Sequence, residues 1–230
     1  MKTDTKNAGY ERLLRNAFQT EITLRLRHAV LHGLKSPSQT ILSALYLLQK
    51  KAATGDAAEI AKYAGWIKDA VKDSGERAEA FLPARPDEVV PCDLNAITAR
   101  VLHMLHDDAA LKEVEFIFEP HAELRPVQGH RGHLQMAVTA LLFGALDAAT
   151  AGARMPVHIV SDAGQLRWTV DVPGPDRPAE EDFEPRFDVE PPRSGIAWHV
   201  ARGIAQEHGG SLTIGDADGG WRATLTLPYA

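Results

Sequence analysis

Between Tyr10 and Lys51 the apolar residues Leu13, Leu14, Ala17, Phe18, Ile22, Leu24, Leu31, Leu34, Ile41, Leu45 and Leu48 recur mostly at three- and four-residue spacing. That is the period of one face of an α-helix. At about 1.5 Å per residue such a helix is on the order of 60 Å long. No small domain buries the apolar stripe of so long a rod, so the segment predicts helical partners. "ATGDAAE" at residues 53–59 supplies a turn, with Gly55, Asp56 as N-cap and Glu59 at the capping-box position. A second helix, from about Ala57 to Phe81, carries Ile60, Ala64, Ile67, Ala70, Val71 and Ala78 on its apolar side. Two antiparallel helices expose too much apolar surface to stand alone, and two copies of such a hairpin make a four-helix bundle. The pattern therefore predicts a homodimer.

The pattern changes after "PARPDEVVPCD", residues 83–93, whose three prolines read as a linker. Asp93 is placed to cap a helix reaching about Asp107, "VEFIFEP" alternates as a strand does, and His133 to Ala149 is a strongly apolar helix. "VHIVSD" and "LRWTVDV" predict a hairpin around Ala163 and Gly164. A Pro-rich acidic stretch follows, then a helix from Ile196 to His208 and two final strands, "GGSLTIGD" and "WRATLTLP". The expected fold class is α+β, with helices on one face of a mixed sheet. The predicted domains are residues 1–82 as a dimerising helical hairpin, 83–92 as a linker and 93–230 as the α+β domain.

Composition narrows the function. A formal net charge of −6 argues against binding nucleic acid through its phosphates, which calls for a surplus of Lys and Arg. A protein partner or a small ligand fits better. The lone Cys92, incidental in the linker on this reading, allows no intrachain disulfide and no Cys-rich metal site. The first residues are polar, and no run of about 18 apolar residues occurs, which predicts a cytoplasmic protein without a membrane anchor of its own.

The order of elements resembles the two-domain core of bacterial sensor histidine kinases, and four motifs carry the resemblance. His32-Gly33-Leu34-Lys35-Ser36-Pro37 is similar to the family's phosphoacceptor motif His-Glu-Leu-Arg-Thr-Pro. "PCDLNAI" resembles the entry to its ATP-binding domain, "VQGHRGHLQMAVTALLFGALDAA" the segment with its Mg-binding asparagines, and "SGIAWHVARGIAQEHGGSL" its last glycine motif. The resemblance implies an ATPase-like α/β sandwich for residues 93–230.

At the positions where the family binds ATP, this chain departs from it. The two asparagine positions fall on Ala140 and Gly144, and neither side chain can offer Mg²⁺ the oxygen ligand it needs. The Asp-x-Gly-x-Gly loop falls on Val172-Pro173-Gly174-Pro175-Asp176, so valine replaces the adenine-binding aspartate. The neighbouring Asp171 should not substitute, because successive strand residues point to opposite faces. Of the final Gly-x-Gly-x-Gly, on Arg193-Ser194-Gly195-Ile196-Ala197, only Gly195 remains. The lid-like segment from Pro173 to Pro192 holds seven acidic residues against two basic ones, a balance that disfavours a polyanion.

Gly33 also replaces the acidic residue that activates the family's histidine. Receiving phosphate from an activated aspartyl phosphate asks less of the imidazole, since the partner brings the metal. Pro37 cannot donate to the carbonyl of Gly33, and its ring crowds that turn, which predicts a bend beside His32. Lys35 could meet the acidic pocket of a receiver domain, and Ser36 stands where the family often has a group that positions water. The plainer alternative is that His32 is an exposed helical histidine. His28, one turn earlier, has no third ligand near it for a metal. His130 with His133, and His103 with His106, read as surface or domain contacts, His208 as structural, and the four tryptophans as core, with Trp198 filling space that a nucleotide takes in relatives.

The expected function is thus a histidine phosphotransferase of a phosphorelay. His32 would relay phosphate between receiver-domain aspartates of response regulators, with Lys35, Ser36 and Pro37 in support, no cofactor bound by this chain, and Mg²⁺ on the partner. A sensor kinase is a further expected partner. The alternatives are an inert kinase-like regulator and, behind it, an active histidine kinase.

Overall fold

The computed structural model describes residues 2–52, 55–81, 88–162, 164–183 and 195–229; within these it leaves aside the side chains of residues 2–8, 11, 25–34, 36, 76–81, 180 and 182. The chain divides into two compact units, Met1–Ile22 with Pro83–Ala230, and Thr23–Leu82.

The long apolar repeat forms a single helix, α1 (Lys2–Ala52), which continues through Pro37. Gly55, at φ +69°, turns the chain into α2 (Ala57–Phe81). Asp56 caps α2 as expected, its carboxylate accepting the Glu59 N–H at 3.1 Å. The Glu59 carboxylate accepts the Tyr63 hydroxyl at 2.6 Å one turn onward. In the unit Thr23–Leu82, Pro37, Ala44, Tyr63 and Ala70 are buried, seven residues apart on each helix. Leu42, Leu45, Tyr46, Trp66 and Val71 stay exposed, so the expectation of a core role fails for Trp66.

The α/β unit begins with strand β1 (Val89–Cys92), where the prolines had predicted linker. Its partner is β3 (Val127–His130), antiparallel, with Pro91 opposite Gln128. A two-stranded ribbon tolerates a proline that a central strand would reject. Residues 83–87 of the predicted linker lie outside the described residues. Cys92 is buried in this ribbon, its thiol 3.3 Å from the Val90 carbonyl and 3.4 Å from that of Gly129, and burial pushes its pKa up.

Asp93 caps α3 (Leu94–Met104) through the Asn95 N–H at 2.8 Å. The helix stops short of Asp107: Leu105, with ψ near 0°, redirects the chain into the short α4 (His106–Leu111), and both Leu105 and Ala109 reach the core. The remaining elements are β2 (Glu115–Phe118), α5 (Arg131–Ala148), β4 (Arg154–Asp162), β5 (Gln165–Pro173), a 3₁₀ turn Glu180–Phe183, α6 (Gly195–Glu207), β6 (Ser211–Ala217) and β7 (Gly220–Pro228).

The main sheet runs β2-β4-β5-β7-β6, with β2 parallel to β4 and the other pairs antiparallel. Along β5 the even residues Leu166, Trp168, Val170 and Val172 are buried, and Trp221, Ala223, Leu225 and Leu227 match them on β7. This is the period-2 signature of a sheet covered on one face. Trp168 donates its indole N–H to the Thr98 hydroxyl at 2.9 Å, tying α3 to β5. Among the described residues no helix is long and apolar enough to cross a membrane.

Candidate functional site

Two places come forward from the sequence: the His32 segment and the cleft where relatives would seat a nucleotide. His32 lies in α1, but its side chain and that of Ser36 are outside the described residues. Lys35 is exposed and Pro37 buried.

The second place is built by α5, the end of β5, the start of β7 and the first turns of α6. Ala140 and Gly144 occupy α5, both buried. A Cβ on Gly144 would lie 2.5 Å from the Trp198 ring, closer than carbon atoms approach without displacement. The indole of Trp198 therefore rests on bare backbone where an asparagine side chain would stand. It packs edge-on to Trp221, ring centroids 5.7 Å apart, and is 6.1 Å from Phe183, both within the range of favourable aromatic pairs. Trp221 is the ladder partner of Val172, so the residue in the adenine-binding aspartate's place faces an aromatic wall. Gly174 adopts φ +122°, the left-handed side that favours glycine, and its N–H donates to the Gly219 carbonyl at 3.0 Å. Gly195 opens α6 and is buried.

The described part of the lid segment lies down on α6. Phe183 is buried, the Arg202 guanidinium stacks 3.7 Å from its ring centroid, and His199 Nδ1 is 3.1 Å from its carbonyl. The lining is thus aromatic and aliphatic. The Trp221 indole N–H is buried there without a hydrogen-bond partner. An Mg-nucleotide needs oxygen ligands for its metal, and the side chains of Ala140, Gly144 and Val172 carry no oxygen. Asp171, on the opposite face as expected, binds Arg222 bidentately at 2.5 and 2.7 Å.

The sequence pairs His130 with His133 and leaves His208 apart, yet the fold gathers all three. Their ring centroids lie 5.2 to 6.5 Å apart. His208 accepts the His130 backbone N–H on Nε2 at 3.2 Å, so its proton sits on Nδ1 and is donated to the Ile204 carbonyl at 2.8 Å. That staple agrees with the structural role predicted for His208. It requires Gly129, where a Cβ would lie 2.6 Å from the ring. Glu207 joins the group, its carboxylate paired with Arg15 and 3.4 Å from His133 Nδ1. Burial, with the nearby Arg15 cation, pushes the His133 pKa down. Among the described residues no cluster of His, Cys, Asp or Glu can hold a metal ion. Residues 130, 133 and 208 share no sequence period, so only the folded topology reveals the cluster.

No family model matches the chain. The sensor histidine kinase ZraS of Escherichia coli O157:H7 is 23% identical over 210 residues, which cover 88% of this chain and 45% of that protein. ZraS of Salmonella typhimurium LT2 is 24% identical over 213 residues, with the same coverage. The chain thus spans less than half the length of the curated relatives it matches. In structure it is similar to the catalytic domain of histidine kinase ThkA, with a TM-score of 0.55 and 20% identity over 62% of this chain and 96% of that one. It is also similar to ThkA in complex with response regulator protein TrrA, with a TM-score of 0.53 and 19% identity over 97% of this chain and 66% of that one.

Proposed function

We propose that the chain is built on the core of the sensor histidine kinases and works as a histidine phosphotransferase which does not use ATP. The observation that carries this reading is the Trp198 indole resting on Gly144, closed in by Trp221 and Phe183. Side chains packed into that place leave less room for adenine and triphosphate, which supports the reading. The absence of oxygen ligands at Ala140 and Gly144 supports the same conclusion.

His32 would then take phosphate from a receiver-domain aspartate. An imidazole nitrogen bonds to phosphorus as the acyl-phosphate P–O bond breaks, and the aspartate leaves as carboxylate. The imidazole sheds its remaining N–H proton to solvent, and the reverse step hands phosphate to a second receiver. Mg²⁺ held by the partner would supply charge neutralisation for the phosphoryl oxygens. The exposed Lys35 is placed on the same helix to meet an acidic receiver pocket. Response regulators as partners are supported by the ThkA structure, which holds the regulator TrrA. The exposed Leu42, Tyr46 and Trp66 support the homodimer.

Incubation with a phosphorylated receiver should leave acid-labile label on the protein and none on His32→Ala. Label retained by that variant overturns the assignment, and micromolar binding of Mg-ATP in a calorimeter overturns the exclusion of nucleotide. Gly33 favours a second reading, an inert kinase-like regulator of a two-component system. Partner binding unchanged in His32→Ala, with no transfer from any receiver, would establish it.

A further inference from the structure

We propose that Arg15, His133 and Glu207 form a clamp that fastens the N-terminal part of α1 to the α/β unit, and that it opens when His133 takes up a proton. Leu14, Phe18 and Ile22, four residues apart, are 0, 2 and 6% exposed. They form a buried stripe in the part of α1 that belongs to this unit. Beside that stripe the Arg15 guanidinium pairs with Glu207 at the end of α6.

The other Glu207 oxygen lies 3.4 Å from His133 Nδ1, yet that nitrogen, like Arg15 Nε and His130 Nδ1, is buried without a hydrogen-bond partner. The clamp is therefore complete but under-bonded, an arrangement sensitive to one added proton. The titratable and charged groups facing His133 are Arg15 from α1, His130 from the end of β3, and Glu207 and His208 from the C-terminal end of α6. Both His208 ring nitrogens are engaged, with the His130 N–H and the Ile204 carbonyl, which leaves His133 Nδ1 as the unbonded nitrogen facing Glu207.

With His133 neutral, one guanidinium faces one carboxylate. With it protonated, two cations compete for Glu207 in a setting where the His133 ring is three-quarters buried, its side chain 24% exposed. Burial and Arg15 hold its pKa below the ordinary value of 6.5 in the clamped form, with Glu207 opposing them. The sign follows. Above about pH 6.5 His133 is neutral in the clamped and open forms alike, and the clamp is at full strength. As pH falls below that value the open form takes up the proton first, and the clamp weakens until the clamped-state pKa is passed. Each unit between the two pKa values corresponds to about a tenfold loss in the closing equilibrium. The same continuous helix carries His32, so opening would alter the end of the element that bears the proposed phosphoacceptor.

The test is amide hydrogen exchange of residues 14–22 in the full chain, expressed as protection relative to intrinsic rates, between pH 8 and pH 5.5. Wild type should lose protection severalfold as pH falls. His133→Gln should keep its pH 8 protection with no further fall, while His130→Gln should still show the loss. In parallel, the NMR titration of His133 should lie below 6.5 and rise in Arg15→Met, a readout that stands even where a His133 variant fails to fold. Constant protection in wild type, an undiminished fall in His133→Gln, loss of the effect in His130→Gln, or a His133 titration unmoved by Arg15→Met would each overturn the clamp.

Discussion

The two units of this chain treat their large apolar side chains in opposite ways. The α/β unit turns Trp168, Trp198 and Trp221 inward, none more than 5% exposed. The hairpin unit buries Ala44, Ala70, Pro37 and Tyr63 and leaves Leu42 67%, Tyr46 65% and Trp66 45% exposed. An aromatic side chain left in water forgoes about 1.5–3 kcal/mol of burial, so the hairpin's exposed rings have more to gain from a covering surface than the buried tryptophans do. The same contrast separates the chemistry. His32 and Lys35 lie on the hairpin unit, while in the α/β unit the Trp198 ring rests on the bare backbone of Gly144.

The sharpest way to break this contrast is to truncate one tryptophan from each unit. Trp168→Ala removes a fully buried ring and orphans the Thr98 hydroxyl, which should cost about 3–5 kcal/mol in urea unfolding. Trp66→Ala, half exposed and in edge-on contact with Tyr63, should cost about 1 kcal/mol or less. Equal losses would mean that the hairpin carries a core of its own. Next in size is Gly144→Ala, whose methyl meets Trp198 at 2.5 Å. Overpacking of that kind costs about 1–3 kcal/mol. In a Trp198→Ala background most of the penalty should vanish, giving a coupling on the order of 1 kcal/mol or more in a double-mutant cycle. Strict additivity would place Trp198 away from the helix it is argued to seal.

Much of this was legible in the residues, and the rest was not for identifiable reasons. Asp56 and Asp93 announced their helices because N-caps act through bonds two or three residues away. The alternation in "LRWTVDV" marked β5 because one face of it meets the core, and "VEFIFEP" marked β2 by its β-favouring residues although that strand buries neither face fully. β1 and β3 escaped, four residues each and carrying Pro91 and Gly129, since a short ribbon leaves little periodicity to read. The positions Ala140, Gly144 and Val172 came from the resemblance, and a space-filling role was expected of Trp198. Its stacking with Phe183 across the acidic segment was not, because no local pattern records which ring meets which. The gathering of Arg15, His133 and Glu207 joins residues up to 192 positions apart and belongs to the fold alone.

A smaller effect sharpens the hairpin side of the comparison. Leu42→Glu places a charge on the most exposed of the hairpin's large apolar residues. If a second copy covers that surface, the dimer should weaken at least tenfold, about 1.4 kcal/mol, as read by sedimentation over a dilution series. The unfolding free energy of the α/β unit should stay within about 0.5 kcal/mol of wild type. A wild-type chain that sediments as a monomer at micromolar concentration removes the need for that surface to be covered by a copy of itself.

The smallest effect concerns the uncovered face of the sheet, where Asp171 and Arg222 form their bidentate pair. The arginine side chain is 46% exposed and the aspartate 23%, so water and salt screen the attraction, and Asp171→Asn should cost on the order of 0.5–1 kcal/mol. The loss should shrink when unfolding is repeated in about 1 M salt, where the screening length falls to about 3 Å. Val172 next to it faces the aromatic wall instead, and Val172→Asp would bury a lone carboxylate against Trp221, a far larger penalty than an exposed pair can return. A loss in Asp171→Asn as large as in Trp168→Ala, or one indifferent to salt, would mean that this face is covered and that Asp171 belongs to a site after all. Adjacent residues one strand step apart thus separate a surface ion pair from a buried aromatic contact, and the period of two residues along β5 assigns each to its side.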